Sequence, residues 1–209
     1  MERGLDLALR RELGVSELIG VDEAGRGPLA GPVVVAAVLL GPQPCPELKG
    51  VRDSKVLTAA RREALFEPIR RRAQVAVAWA QPNAIDRLNI LAATLWAMRR
   101  AVLRLGSTAL VLVDGNRRIP ELAQPQRTVV GADAKSLAVA CASIVAKVAR
   151  DRWMRSLDRR YPGYGLARHK GYPTREHRRT LFELGPSPSH RLSFAPVRLA
   201  ALSSGTRPR

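Results

Sequence analysis

Four acids stand where the chain pattern invites chemistry. Asp22 and Glu23 follow the apolar run Leu18–Val21, and Asp114 follows Leu110-Val111-Leu112-Val113. Asp151 follows Ile144-Val145-Ala146-Lys147-Val148. The first two runs read as short strands that end at their acids, and the third as part of a helix. In α/β sheets, sites form at the carboxyl ends of strands, so two acidic strand ends and one helical acid can converge there. Converging carboxylates repel one another unless a cation neutralises them. Their hard oxygens suit Mg²⁺ or Mn²⁺, which bind through a few carboxylates and keep waters. Two such ions, about 3.5–4 Å apart, suit in-line displacement at phosphorus. Neighbouring strand residues face opposite ways, so Asp22 and Glu23 both serve only if the strand ends there. Plainer roles stay open. Asp114-Gly115 is also a turn signal, and Asp151 can pair with Lys147 or Arg155 on a helix surface. Gly25-Arg26-Gly27 permits close approach of the main chain to a ligand with an arginine in reach of phosphate, or else forms a tight turn.

The elements that must position these acids follow from the apolar pattern. Val33–Leu40 is a continuous apolar run and reads as a buried strand. Gln74–Ala80, Ala109–Val113 and Arg127–Val130 read as further strands. Thr58 caps a basic helix that runs to about Ala73. A long helix opens at Asn83 or Asp86 and runs through Leu105, with Ile85, Leu88, Ala92, Leu95, Val102 and Leu105 on one face. Asp133 caps another through about Asp158, and a short one lies near Thr174–Leu184. This order predicts an α/β layout with a mixed sheet.

The 209 residues suit one domain, and 46% hydrophobic residues suffice for a sizeable core. With only 4% aromatics, that core is built from Ala, Val, Leu and Ile. The net charge is +17, and from Cys141 onward 15 Lys and Arg face 4 Asp and Glu. Clustering of this kind points to a polyanion partner more than to a solubility habit. Cys45 and Cys141 show neither a disulfide framework nor zinc-ligand spacing. Met1–Gly14 lacks an apolar signal core and no run of about 20 apolar residues occurs, so a cytoplasmic protein with no membrane contact is expected.

At Asp22-Glu23-Ala24-Gly25-Arg26-Gly27-Pro28 and Ala30-Gly31-Pro32-Val33-Val34 the chain resembles the opening motif of ribonuclease HII. The resemblance continues through Asp53-Ser54-Lys55, Asp86-Arg87-Leu88-Asn89-Ile90-Leu91 and Val113-Asp114-Gly115. It runs on through Asp133-Ala134-Lys135-Ser136 and the stretch Ala142–Asp151, and closes with His169-Lys170-Gly171-Tyr172 and Ser187-Pro188-Ser189-His190-Arg191. It implies a ribonuclease H-like α/β fold, a mixed central sheet flanked by helices, over residues 18–200. It also implies a C-terminal helical extension from about residue 160, an N-terminal segment 1–17 and a disordered tail 201–209. By the resemblance, Asp22, Glu23, Asp114 and Asp151 are the catalytic, metal-binding acids, taking Mn²⁺ or Mg²⁺, two ions with substrate bound. The backbone of Gly25-Arg26-Gly27 would recognise the ribonucleotide 2′-hydroxyl, which is what separates RNA from DNA. Tyr172 would stack near the sugar, and Ser54, Lys55, Lys135, Ser136 and Lys170 would contact the nucleic acid.

The implied enzyme cuts the RNA strand of RNA–DNA hybrids and at ribonucleotides embedded in duplex DNA, on their 5′ side, leaving a 3′-hydroxyl and a 5′-phosphate. A monomer is expected, and a replication-clamp contact is not visible in the sequence. Val56, Ala132, Cys141 and Pro173 depart from the usual pattern and bear on affinity rather than reaction. His169 and His190 read as structural residues or phosphate contacts. The sister family ribonuclease HIII usually carries an extra N-terminal domain, for which about 17 residues before the first strand leave no room. Two other readings are a junction-resolving DNA endonuclease of the same fold class and a basic binding module without catalysis. Gly25-Arg26-Gly27 and Tyr172 argue against the first, and four intact acids against the second.

Overall fold

The computed structural model describes residues 4–43 and 45–203. Its sheet contains β1 (Leu18–Ala24), β2 (Val33–Leu40), β3 (Gln74–Ala80), β4 (Leu110–Asp114) and β5 (Gln126–Val129), in the order β3-β2-β1-β4-β5. Every residue of β2 is buried, as an apolar run covered on both faces must be. β1 pairs antiparallel with β2 and parallel with β4, and β4 pairs parallel with β5, so the sheet is mixed as the pattern predicts.

The helices depart from expectation at several places, among them a short helix at Leu166–His169 that the sequence pattern does not show. Residues expected to form only a leading segment fold as α1 (Gly4–Leu13). The basic helix α2 (Ala59–Arg72) does start at Thr58, whose Oγ1 accepts from the Arg61 N–H at 3.2 Å. The long helix expected to Leu105 is two, α3 (Pro82–Leu88) and α4 (Ile90–Arg104). Asn89 between them takes φ +66°, and its Oδ1 accepts from the N–H of Leu91 and of Ala92, each at 3.0 Å. With ψ 166° the residue lies outside the left-handed helical well, in a region side chains rarely adopt, and the two Oδ1 bonds cap α4 in the same step. The helix expected from Asp133 is likewise split, into α5 (Ala132–Lys135) and α6 (Leu137–Arg160), with Ser136 between. After α7 (Leu166–His169) and α8 (Arg175–Leu184), α9 (Ala195–Ser203) takes up residues 201–203, which were expected in the tail. Residues 204–209 of that tail lie outside the described residues. No helix among the described residues is long and apolar enough to cross a membrane.

The chain divides into two units. One holds the chain up to Ala24 with Val34–Ala78 and Leu95–Val148; the other holds Gly25–Val33, Trp79–Thr94 and the chain from Ala149. The core of the first is made by Leu18, Val38, Leu40, Leu110 and Leu112 of the sheet, with Val139, Ala142 and Val145 of α6. Gly20 sets this packing: a Cβ there would lie 2.2 Å from the backbone carbon of Ala138. Smaller cores of the second unit gather around Leu29, Leu181 and Val197 and around Ala30, Met154 and Leu166.

The N-terminus of α6 is capped from α1. Asp6 Oδ1 accepts from Ser136 Oγ and Asp6 Oδ2 from the Leu137 N–H, both at 2.6 Å. Asp6→Ala strands both buried donors, so it is expected to cost about 1–3 kcal/mol in urea unfolding. A loss below about 0.5 kcal/mol would contradict this role.

Candidate active site

β1 and β4 run parallel with Leu18 opposite Leu110 and Val21 opposite Val113. The next residue of each strand is an aspartate, so Asp22 and Asp114 share one face at the carboxyl edge of the sheet. Asp114 Oδ1 accepts the Ala132 N–H at 2.8 Å, which ties the first residue of α5 to the strand end. That bond delivers Asp133. Carboxylate oxygens of Asp22, Asp114 and Asp133 lie within 4.8 Å of one another. Asp22 Oδ1 accepts from the Glu23 N–H at 2.7 Å, and the Ser143 hydroxyl also bonds its carboxylate. Lys55 Nζ donates to Asp133 Oδ2 at 3.2 Å from a side chain that is 76% exposed.

The electrostatics carry the mark of crowded acids. Burial, then the charges of Glu23 and Asp114, push the Asp22 carboxyl well above its ordinary 3.8. Asp114 is raised as well, by burial first and then by Asp133. Burial opposes the charge of Lys55, but the hydrogen bond and charge of Asp133, with Asp53 and Asp22, outweigh it and raise its pKa. The Lys55 ammonium faces three carboxylates, and such crowding favours either protons or a bound cation. Its donors are all hard oxygens, which fit Mg²⁺ or Mn²⁺ and not a soft-ligand metal.

A raised pKa means that the folded chain holds the Asp22 proton more tightly than the unfolded chain does. That contribution to stability is complete below 3.8 and is lost as pH rises through the folded value. In chelator, Asp22→Asn is therefore expected to melt higher than the parent protein, by a margin that widens from about pH 5 to about pH 8. A variant less stable across that whole range would contradict the crowding. Mn²⁺ should raise the melting temperature of the parent more than that of the variant.

Other expected site residues are distributed as follows. β1 does not end at Asp22 but continues through Glu23 and Ala24, paired with Val35 and Val34, because β2 offers it a partner that far. Glu23 thus stands outside the three-carboxylate cluster, although its charge reaches Asp22. Asp151 is also outside the cluster: it is a buried residue of α6, in the second unit. Ser54 and Ser136, expected to contact nucleic acid, are buried. Ser54 Oγ bonds Ser143 Oγ at 2.8 Å, and the Ser136 hydroxyl is used by Asp6 and the Val139 N–H. Lys135 is exposed. In the second unit Gly25 is buried, Arg26 and Gly27 are exposed, Lys170 is half-buried and Tyr172 is 43% exposed. The departures Ala132 and Cys141 are fully buried core positions, and Val56 is exposed.

The family model described as Ribonuclease HII matches residues 19–197. The chain belongs to the ribonuclease HII family. Ribonuclease HII proteins are endoribonucleases, hydrolases with ribonuclease H activity that depend on a divalent metal, and the all-oxygen cluster suits that dependence. Solved structures agree. Ribonuclease H2 from Pyrococcus horikoshii OT3 is 26% identical, with a TM-score of 0.72 over 92% of this chain and 100% of that one. The RNase HII of Archaeoglobus fulgidus, solved in a complex with PCNA, is 29% identical, with a TM-score of 0.69 over 91% of this chain and 89% of that one. Bst-RNase HIII in complex with Mn²⁺ shares the fold at 19% identity, with a TM-score of 0.76 over 93% of this chain and 72% of that one.

Within this ribonuclease HII chain, sequence reasoning missed three things. Asp133 reads in the sequence as a helix cap, although Asp133-Ala134-Lys135-Ser136 is among the matching blocks. Arg150 and Arg191 carried no signal of burial. His177 carries no signal in the sequence, yet it joins His169 and His190 in one buried group. His177 stacks on His169 at 4.3 Å between centroids and bonds His190 through their Nε2 atoms at 3.1 Å. Burial, then His177, lowers His190 to about 3, so it stays neutral and structural.

Proposed function

We propose that this chain cuts the RNA strand of RNA–DNA hybrids and also cuts at single ribonucleotides in duplex DNA. The cut falls 5′ of the ribonucleotide and leaves a 3′-hydroxyl and a 5′-phosphate. One observation carries the reading: Asp22, Asp114 and Asp133 converge at the carboxyl edge of β1 and β4 in a ribonuclease HII chain. These three, with Glu23 added by the resemblance, would hold Mg²⁺ or Mn²⁺, two ions with substrate bound. Asp22, which feels the charges of both Glu23 and Asp114, would hold the metal together with them. Bound there, the ions would neutralise the acids and stabilise charge developing on the scissile phosphate.

The chain's own groups do the selecting. Main-chain groups of Gly25-Arg26-Gly27 meet the 2′-hydroxyl, and the exposed Tyr172 ring packs against the sugar. Arg26, Lys55, Lys135 and Lys170 neutralise phosphates, and the +17 charge draws in the duplex. No side-chain nucleophile and no covalent intermediate are required.

Two duplexes that differ by one 2′-hydroxyl test this. Cleavage of the ribonucleotide-containing duplex alone, and only with Mg²⁺ or Mn²⁺, is expected. Equal cutting of the all-DNA duplex would contradict the reading and favour a DNA endonuclease.

A further inference from the structure

Arginine is seldom fully buried, yet Arg150 is 1% exposed and Arg191 0%. Both spend their guanidinium donors on backbone carbonyls. Arg191 donates to Gly31 O through Nε at 2.9 Å, to Arg26 O through Nη1 at 2.8 Å and to Gly25 O through Nη2 at 2.6 Å. Arg150 donates to Pro32 O at 3.0 Å, to Lys170 O at 3.0 Å and to Ala30 O at 3.2 Å. Three main-chain bonds complete the brace. The Leu29 N–H donates to Gly171 O and the Gly31 N–H to Ser189 O, each at 2.8 Å, and the Arg191 N–H donates to Leu29 O at 2.9 Å.

The consequence for the loop is geometric. In a trans peptide the C=O and the following N–H point in opposite directions. With Gly25 O and Arg26 O both drawn to the Arg191 fork, the N–H groups of Arg26 and Gly27 are turned away from it. Arg26 and Gly27 are exposed. Gly25 makes the arrangement possible: it takes φ +98°, and a Cβ there would lie 1.9 Å from Arg150 Nε. Tyr172 belongs to the same brace. Its ring lies 3.8 Å from where a Gly27 Cβ would be, and its carbonyl bonds His177 Nδ1 at 2.9 Å.

We infer that Arg191 and Arg150 are positioning residues for ribose recognition. The planar fork of Arg191 presets two successive peptide planes, so that the Arg26 and Gly27 N–H groups face an incoming 2′-hydroxyl, while Arg150 holds the neighbouring turn that bears Tyr172. This rests on the proposed substrate. A lysine keeps the charge but not the fork, so it holds one carbonyl where Arg191 holds two of this pair.

The test uses Arg191→Lys on the full chain, with binding measured in chelator to two duplexes identical but for one ribonucleotide. The parent protein is expected to favour the ribonucleotide duplex, and the variant to lose about tenfold of that preference. Affinity for the all-DNA duplex should stay within about twofold, and in cleavage KM should rise with kcat nearly kept. A variant that keeps the full preference overturns the inference while leaving the enzymatic reading intact. A parent protein that binds both duplexes alike and cleaves neither overturns both. If the variant does not fold, amide exchange on the parent decides. Leu29 and Gly31 amides should be protected before any duplex is added, and the Gly27 amide should slow only with the ribonucleotide duplex. Unstructured exchange rates at Leu29 and Gly31 in the free protein overturn the inference.

Discussion

Asp133→Asn is expected to lower single-turnover cleavage by on the order of 10³-fold, whereas Asp151→Asn lowers it by less than about tenfold. The contrast follows from the cluster. Asp133 offers a carboxylate oxygen within 4.8 Å of those of Asp22 and Asp114, and Asp151 does not join them. Asn conserves the volume of Asp and removes the charge, so a loss of rate reports on cation binding rather than on packing. Removing the Asp133 charge also releases Lys55, so Lys55→Ala serves as the control and should cost far less than Asp133→Asn. Duplex binding without metal should survive both Asp substitutions, since it comes from the basic surface. Equal losses for Asp133→Asn and Asp151→Asn would return Asp151 to the ligand set. Asp114→Asn should behave as Asp133→Asn does, because β1 and β4 hold Asp22 and Asp114 on one face.

Gly20→Val carries the largest expected effect on stability. A Cβ at Gly20 would meet the backbone carbon of Ala138 at 2.2 Å and the nitrogen of Val139 at 2.3 Å. Those are main-chain atoms of a buried helix, so no rotamer change relieves the contact and α6 must move off β1. The cost is expected to be about 3 kcal/mol or more, a fall of roughly 6–12 °C in melting temperature for a chain of this size. Activity should fall with it, since β1 carries Asp22 and α6 carries the Ser143 hydroxyl that bonds Asp22. A melting temperature within about 2 °C of the parent would show that the contact between α6 and the strand is looser than described.

Much of the fold was legible because it rests on local pattern. The all-apolar Val33–Leu40 run announces a covered strand, and Asp22 and Asp114 are visible as acids that follow strand runs. The Thr58 cap was legible for the same reason. What escaped the sequence depends on contacts between distant residues. An aspartate ahead of an apolar helical run is ordinary cap chemistry. Carboxylate oxygens of Asp22, Asp114 and Asp133 within 4.8 Å of one another show Asp133 to be part of the acidic cluster, next to the Ala132 N–H that bonds Asp114. Ser54 and Ser136 sit inside matching blocks, yet the first is turned to Ser143 and the second to Asp6, a residue 130 positions away. Arg150 and Arg191 look like any surface arginines until the carbonyls of the Gly25–Pro32 loop are seen around them. The break at Asn89 was hidden by apolar periodicity that continues through it.

Mapping the cut on a DNA duplex with one embedded ribonucleotide, with Mg²⁺, Mn²⁺ or chelator, tests the central claim most directly. One metal-dependent break is expected immediately 5′ of the ribonucleotide, with a 3′-hydroxyl on one fragment and a 5′-phosphate on the other. A break on the 3′ side ending in a cyclic phosphate, or cutting that persists in chelator, would contradict it.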